Sequence, residues 1–347
     1  MVTKAVIGYG NAARIHKNTF PEAEMIGVFD NDPNKIKEFQ ASGMPFYRNL
    51  EEMLLRGPEL GYFDVTTPTD SHFSIVKEIL SQYPAARILV EKPVCMPSET
   101  EKLRMLEKKF EKAKLVVNEN YMSSQVTQKI RKYVEEFEMK RPSISIEFSK
   151  NRIPDVEKGR FLDKELGAFG YEGTHMETCV VGSGGDRRIK EITNSVFRPM
   201  VLSNGNIVED QGEALLDYRA KDGSFVHFFT SMIGNTDVRL PDSDKLPKYN
   251  IKNPDERYRV MLVEERFVTV GGIFEPIPNK PRGQSIVFVY QNGNIEKIDS
   301  VDDNHMRFHQ QRAVDFFEDK GENPCNVETA VGIVEDLDRA VKFAKAR

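Results

Sequence analysis

Short apolar runs alternate with helical periodicity through the first third of the chain. Ala5–Gly8, Met25–Asp30, Tyr62–Thr66, Ile88–Val90 and Leu115–Asn118 read as strands, with a weaker candidate at Pro45–Tyr47. Between them, Ala12–Thr19, Asn34–Ala41, Leu50–Leu55, Ser71–Ser81 and Ser98–Lys112 carry helical spacing. Near-continuous apolar strands separated by helices build a parallel sheet through right-handed crossovers. Pro33, Pro97 and the run Ser98–Glu101 supply helix-start chemistry. The pattern changes after a helix at Val126–Phe137. Ser143–Phe148, Glu191–Arg198, Glu213–Arg219, Ser224–Ser231, Arg259–Val270 and Gln284–Tyr290 read as longer strands. Turns such as Lys221-Asp222-Gly223 and Gln291-Asn292-Gly293 separate several of them, which predicts hairpins and a largely antiparallel sheet. The polar stretch Gly234–Asp255, with Pro241, Pro247 and Pro254, predicts a long surface loop, an active-site flap or a subunit contact. Two helices, Arg307–Glu318 and Val327–Ala344, close the chain.

The expected fold class is therefore α/β. A doubly wound parallel sheet occupies 1–121, and an α/β domain with a large, mostly antiparallel open sheet occupies 122–347. A length of 347 residues suits such a two-domain chain. The net charge of −5 argues against nucleic acid or an anionic membrane as main partner. No apolar run approaches the ~20 residues that span a bilayer. The first strand opens after four residues, so no secretory leader is expected. Cys95, Cys179 and Cys325 have neither metal nor disulfide spacing. A reducing cytoplasm is the expected compartment.

Candidate chemistry sits where the predicted parallel strands end. Gly8, Gly10 and Ala13, with Asn11 and Ala12 between them, form a Gly-x-Gly-x-x-Ala turn that follows a strand and opens a helix. Such a turn lets backbone approach a pyrophosphate and aims a helix N-terminus at it. Asp30 ends the second strand about twenty residues later, where a carboxylate would take the ribose hydroxyls. It would repel the extra phosphate of NADP, and no basic residue immediately follows it. NAD is the expected cofactor ahead of NADP. Thr67 and Pro68 begin a turn into a helix and are expected to cover the cofactor. His72 either approaches the ribose or nicotinamide or is an ordinary part of that turn. Glu91, Lys92 and Pro93 end another apolar strand and place a lysine beside the dinucleotide.

GYGNAARIH, the TPTDSH turn, LVEKP and the later GAFGYEGTHMET segment together resemble the glucose–fructose oxidoreductase and inositol dehydrogenase (Gfo/Idh/MocA) family. The resemblance extends over the whole chain. It implies an N-terminal Rossmann domain, a C-terminal α/β domain whose open sheet often serves oligomerisation, and a sugar, amino-sugar, nucleotide-sugar or cyclitol substrate. A homodimer or homotetramer is the expected assembly. The family's Lys-Pro peptide is often cis, which would turn Lys92 into the cleft to donate to the substrate hydroxyl, with Glu91 orienting it. The family's helix histidine corresponds to His175, which would accept the proton of the reacting hydroxyl. Four residues before it the family has an aspartate, but Tyr171 stands here. Either Tyr171 lines the site, the preferred reading, or Glu172 supplies the carboxylate. Thr178 replaces a second aspartate.

Asn120 and Tyr121 are plausible contacts to nicotinamide and substrate. Arg152, Lys158 and Arg160 would either bind a substrate phosphate or carboxylate or serve as solvated charge. His305 and His309 share helical spacing but have no third ligand, so no metal is expected. The expected activity is hydride transfer between a secondary alcohol or ketone and NAD. Two alternatives remain open: a glycoside hydrolase working through a transiently reduced NAD, and a non-catalytic dinucleotide-binding regulator.

Overall fold

The computed structural model describes residues 2–55, 61–159 and 162–347. The chain divides into two compact units: Met1–Asn120 with Met306–Val334, and Tyr121–His305 with Glu335–Arg347.

The first unit is a six-stranded, all-parallel sheet. Its strands are β1 (Val2–Ile7), β2 (Ala23–Phe29), β3 (Phe46–Tyr47), β4 (Tyr62–Val65), β5 (Arg87–Val90) and β6 (Lys114–Val117), in the order β3-β2-β1-β4-β5-β6. The crossovers carry helices α1 (Asn11–Thr19), α2 (Pro33–Ser42), α3 (Leu50–Leu54), α4 (Thr69–Gln82) and α5 (Thr100–Lys109). The order reverses at β1, which puts the ligand crevice at the carboxyl ends of β1 and β4. Two apolar clusters sandwich the sheet. Val6, Tyr9, Ala13, Val28 and Phe39 form one. Phe20, Tyr62, Leu89 and Val116 pack with Ala313, Val314 and Phe317 in the other.

That second cluster explains a difference from the expected division at 121/122. Residues 306–334 group with the first unit. Besides the apolar contacts, the N–H of Val117 donates to the Cys325 carbonyl at 3.0 Å, and His309 Nε2 lies 2.8 Å from the Val117 carbonyl. The edge strand β6 is thereby partly covered.

The second unit holds an eight-stranded sheet in the order β14-β13-β12-β11-β7-β10-β9-β8. The strands are β7 (Ser143–Ser149), β8 (Ile189–Val201), β9 (Ile207–Ala220), β10 (Phe225–Ser231), β11 (Tyr258–Glu265), β12 (Val268–Ile273), β13 (Gln284–Gln291) and β14 (Asn294–Asp302). All neighbours are antiparallel except β7 and β10. Helices α6 (Gln125–Glu136), α7 (Ile153–Glu157) and α8 (Phe169–Gly182) belong to this unit. Helices α9 (His305–Phe317) and α10 (Val327–Lys345) each run from one unit into the other.

Three expectations change here. The single strand expected at Arg259–Val270 is two, joined by a turn in which Arg266 has φ 59°. Strand β14 was not foreseen; Asn292 and Gly293 (φ 54° and 82°) form the tight turn that leads into it. The stretch 234–255 has no helix or strand, but it is not merely a surface loop. Val238 and Leu246 are buried with Tyr258, and the buried Glu147 carboxylate accepts the Asp237 and Val238 amides at 2.9 and 2.8 Å.

Candidate active site

In the first unit β1 runs into Gly8, whose φ of 86° suits glycine. A Cβ there would lie 2.7 Å from Thr67 Cγ2, so this glycine lets the β4 turn close against the β1 turn. Gly10 differs. It caps α1 without a side chain, and a Cβ on it would meet nothing within 4 Å. The space beside Gly10 is open, and the first turn of α1 carries no acidic residue to offset its positive end. Asp30 lies across this turn. Its Oδ2 accepts the Tyr9 amide at 2.6 Å and its Oδ1 the Asp32 amide at 2.9 Å. A carboxylate offers about four lone-pair positions, so it can brace the turn and still take ribose hydroxyls. These features fit a dinucleotide.

The β4 turn is held by Thr66 Oγ1, which donates to the Gly8 carbonyl. His72 has both ring nitrogens 2.8 Å from carbonyls, Nδ1 at Pro93 and Nε2 at Thr67. Burial lowers its pKa, against the pull of those carbonyls. The peptide between Lys92 and Pro93 is cis. Glu91 Oε2 accepts the Lys92 amide at 3.2 Å.

Behind this segment runs a buried chain of charges. Lys4 Nζ lies 3.0 Å from Asp64 Oδ2, with both side chains fully buried. Asp64 Oδ1 is 2.9 Å from His16 Nδ1, and His16 Nε2 is 2.7 Å from Glu91 Oε1. Asn118 Nδ2 also donates to Glu91 Oε1. Burial works against the imidazolium, but Asp64 and Glu91 on its two sides raise the His16 pKa to about 9. The same pairing outweighs desolvation at both carboxylates and pulls their pKa values down. Lys4 and His16 thus balance Asp64 and Glu91.

In the second unit, α8 is buried on all sides from Phe169 to Val180 except at His175, which keeps partial exposure. The His175 ring lies 5.0 Å from the Tyr121 ring. The Tyr121 hydroxyl accepts from Arg259 Nη1 at 2.9 Å. Arg259 Nη2 reaches Glu172 Oε2 at 3.1 Å, and Arg152 Nη2 reaches Glu172 Oε1 at 2.5 Å. Burial would raise the Glu172 pKa, but Arg259, Arg152 and His175 bring it well below the usual carboxylate range. Topology makes this cluster. Arg259 opposes Phe148 across the β11–β7 pairing, and Arg152 follows just after β7 ends.

Residues 2–121 match the Gfo/Idh/MocA description, an oxidoreductase family with an NAD-binding Rossmann fold. Whole-chain structural similarity extends further at low identity. A Desulfitobacterium hafniense protein, provisionally an NADPH-dependent oxidoreductase, aligns with TM-score 0.79 at 15% identity over 99% of this chain and 96% of its own. UDP-N-acetylglucosamine 3-dehydrogenase GnnA of Acidithiobacillus ferrooxidans aligns with TM-score 0.71 at 15% identity, covering 99% and 97%. WlbA dehydrogenase of Bordetella pertussis, solved with NADH and UDP-GlcNAcA, gives 0.73 at 13%, covering 99% and 96%. At these identities the likeness shows the fold. No curated protein sequence is significantly similar to this chain.

In the first unit, Gly8, Gly10, Asn11, Ala12, Asp30, Thr67, Pro68, Glu91 and Lys92 all lie at or just beyond the carboxyl ends of β1, β2, β4 and β5. Ala13 is instead buried in the helix–sheet cluster. The structure turns His72 from a ligand-facing candidate into a strut, because carbonyls face both of its ring nitrogens. Asn120 Nδ2 lies 3.6 Å from Met306 Sδ. In the second unit Tyr121, Arg152, Glu172 and His175 come together, and Tyr171 is buried one residue away. Glu172, rather than the preferred Tyr171, is the carboxylate in the cluster, where its two oxygens hold two arginines. Lys158 is exposed, and Arg160 lies outside the described residues. His305 stacks on Tyr121 at 4.2 Å, and burial pushes the His309 pKa down to about 4.

Sequence reasoning missed Lys4, His16 and Asp64. Their signal was present: an aspartate inside the apolar run Tyr62–Val65 demands a buried partner. It also missed Arg259, the first residue of a segment read only as strand, and Arg257, which lies between that strand and the loop before it. Among the described residues no helix is long and apolar enough to cross a membrane.

Proposed function

We propose that this protein is an NAD-dependent oxidoreductase that moves hydride between a secondary alcohol or ketone of a sugar-type substrate and the nicotinamide. The observation that carries the reading is the placement of open Gly10, braced Asp30 and the Glu91-Lys92 segment at the carboxyl ends of β1, β2 and β5, on one edge of one parallel sheet. When bound, NAD supplies the hydride acceptor. Gly10 and the start of α1 receive the pyrophosphate, and Asp30 takes the ribose hydroxyls. An unphosphorylated ribose suits that carboxylate, which favours NAD over NADP. The Lys92 ammonium donates to the reacting oxygen and stabilises alkoxide character there. His175, the one partly exposed residue in the buried stretch of α8, accepts the hydroxyl proton. Sugar-type substrates are supported by GnnA, a UDP-N-acetylglucosamine 3-dehydrogenase, and by WlbA, solved with UDP-GlcNAcA, whose folds this chain shares.

The test is NADH absorbance with a panel of sugars and polyols for the wild type and Lys92→Ala. The variant is expected to lose ~100-fold or more in kcat while binding NAD within threefold of wild type. Undiminished turnover in the variant would refute the role of Lys92.

A further inference from the structure

The cationic groups beside Glu172 outnumber the carboxylates that face them. Lys150 and Arg152 share Asp155 at 3.2 and 3.5 Å, and Arg152 and Arg259 share Glu172. Glu275 is the remaining acid whose charge reaches Arg259, and its Oε2 accepts the Gly283 amide. Arg257, two residues before Arg259 and just ahead of β11, adds a fourth cation. Among the described residues Arg257 makes no hydrogen bond or ion pair. Its neighbour Glu256 is engaged elsewhere, accepting the Asn250 amide at 2.7 Å. The repulsion of Arg259, and then burial, bring the Arg257 pKa down to about 10 against the pull of Glu172, whose two oxygens already hold Arg152 and Arg259. A partly buried guanidinium kept beside two other arginines is costly unless an anion compensates it.

We propose that Arg257, with Lys150, Arg152 and Arg259 behind it, binds a carboxylate or phosphate carried by the substrate. The inference rests on the oxidoreductase reading and narrows its substrate to an anionic sugar. The planar fork of arginine matches both oxyanions in a bidentate manner. Tyr121 sets the spacing: its ring touches His175 and its hydroxyl holds Arg259. His175 and Arg259 therefore stand on either side of one ring, and Arg257 is two residues from Arg259 along the chain. In this arrangement Glu172 is a positioning residue, holding Arg152 and Arg259 in place.

The experiment titrates the NAD-loaded protein calorimetrically with D-glucuronate, D-glucose 6-phosphate and neutral D-glucose. It uses wild type, Arg257→Gln and Arg257→Lys, with NAD affinity and thermal midpoint measured for each. At least one anionic sugar is expected to bind ten times more tightly than glucose or better, and the preferred one identifies the oxyanion. Arg257→Gln should lose that preference by tenfold or more with unchanged NAD affinity, while Arg257→Lys keeps most of it. Equal binding of all three sugars, binding of none, or undiminished anion binding by Arg257→Gln overturns the proposal. If anions bind as expected and no sugar yields NADH, the redox reading fails and the anion site stands. If glucose yields NADH and Arg257→Gln changes nothing, the anion site fails and the redox reading stands.

Discussion

Replacing His16 with glutamine tests the buried charge chain. Folding holds the imidazole between Asp64 and Glu91 and raises its pKa from 6.5 to about 9. The folded protein therefore keeps a proton between those values that the unfolded chain releases. The stability this proton contributes is complete below pH 6.5 and is lost as pH rises through about 9. At roughly 1.4 kcal/mol per pH unit, that interval comes to about 3 kcal/mol. His16→Gln keeps the shape but no cation, leaving Glu91 with Asn118 and the charge of Lys92, and Asp64 with Lys4 alone. The chain has no tryptophan, so urea unfolding is followed by far-UV circular dichroism. At pH 6 the variant should be about 3 kcal/mol less stable than wild type, and at pH 10 the gap should shrink below about 1 kcal/mol. Glu147 and Glu177 also titrate near pH 8, so the wild-type minus variant difference is the informative quantity. A difference that does not change with pH would refute the assignment of a charged His16.

The two glycines of the first turn should separate folding from binding. Gly8→Ala meets Thr67 at 2.7 Å with an unfavourable φ and should lower the thermal midpoint, whereas Gly10→Ala should melt like wild type and lose NAD affinity about tenfold or more. A Gly10→Ala protein that binds NAD normally would remove the pyrophosphate from that position. Asp30→Ala should weaken NAD tenfold or more and NADP much less; equal losses in fluorescence titrations would contradict ribose binding. Burial raises the Glu147 pKa from 4.5 to about 8, so its carboxyl costs the fold nothing below pH 4.5, increasingly more between 4.5 and 8, and a constant amount above that. Glu147→Gln should therefore melt above wild type at pH 9 but not at pH 5. A lower melting point at pH 9 would show that ionised Glu147 is accommodated.

Much of the fold was readable before any coordinates. The apolar runs of β1, β4, β5 and β6 are buried on both faces, and strands of that kind carry their own signature. The glycine turn and Asp30 are local too, because strand, turn and helix follow one another in the chain. Helix α8 was less legible. It is enclosed almost entirely, so it lacks the two-faced pattern that marks a surface helix, and its histidine was found only by resemblance.

Sequence by itself determined the element types, the doubly wound first domain, the hairpin-rich second sheet and the residues at the dinucleotide turn, since each follows from periodicity or from neighbours in the chain. Tertiary structure alone decided which distant charges meet. Lys4, His16, Asp64 and Glu91 join because β1, β4 and β5 are neighbours in one sheet and α1 packs against it. Arg152, Glu172 and Arg259 join because β11 pairs with β7 in one particular register. A shift of one residue would turn Arg259 to the other face of the sheet, and no local pattern encodes that choice.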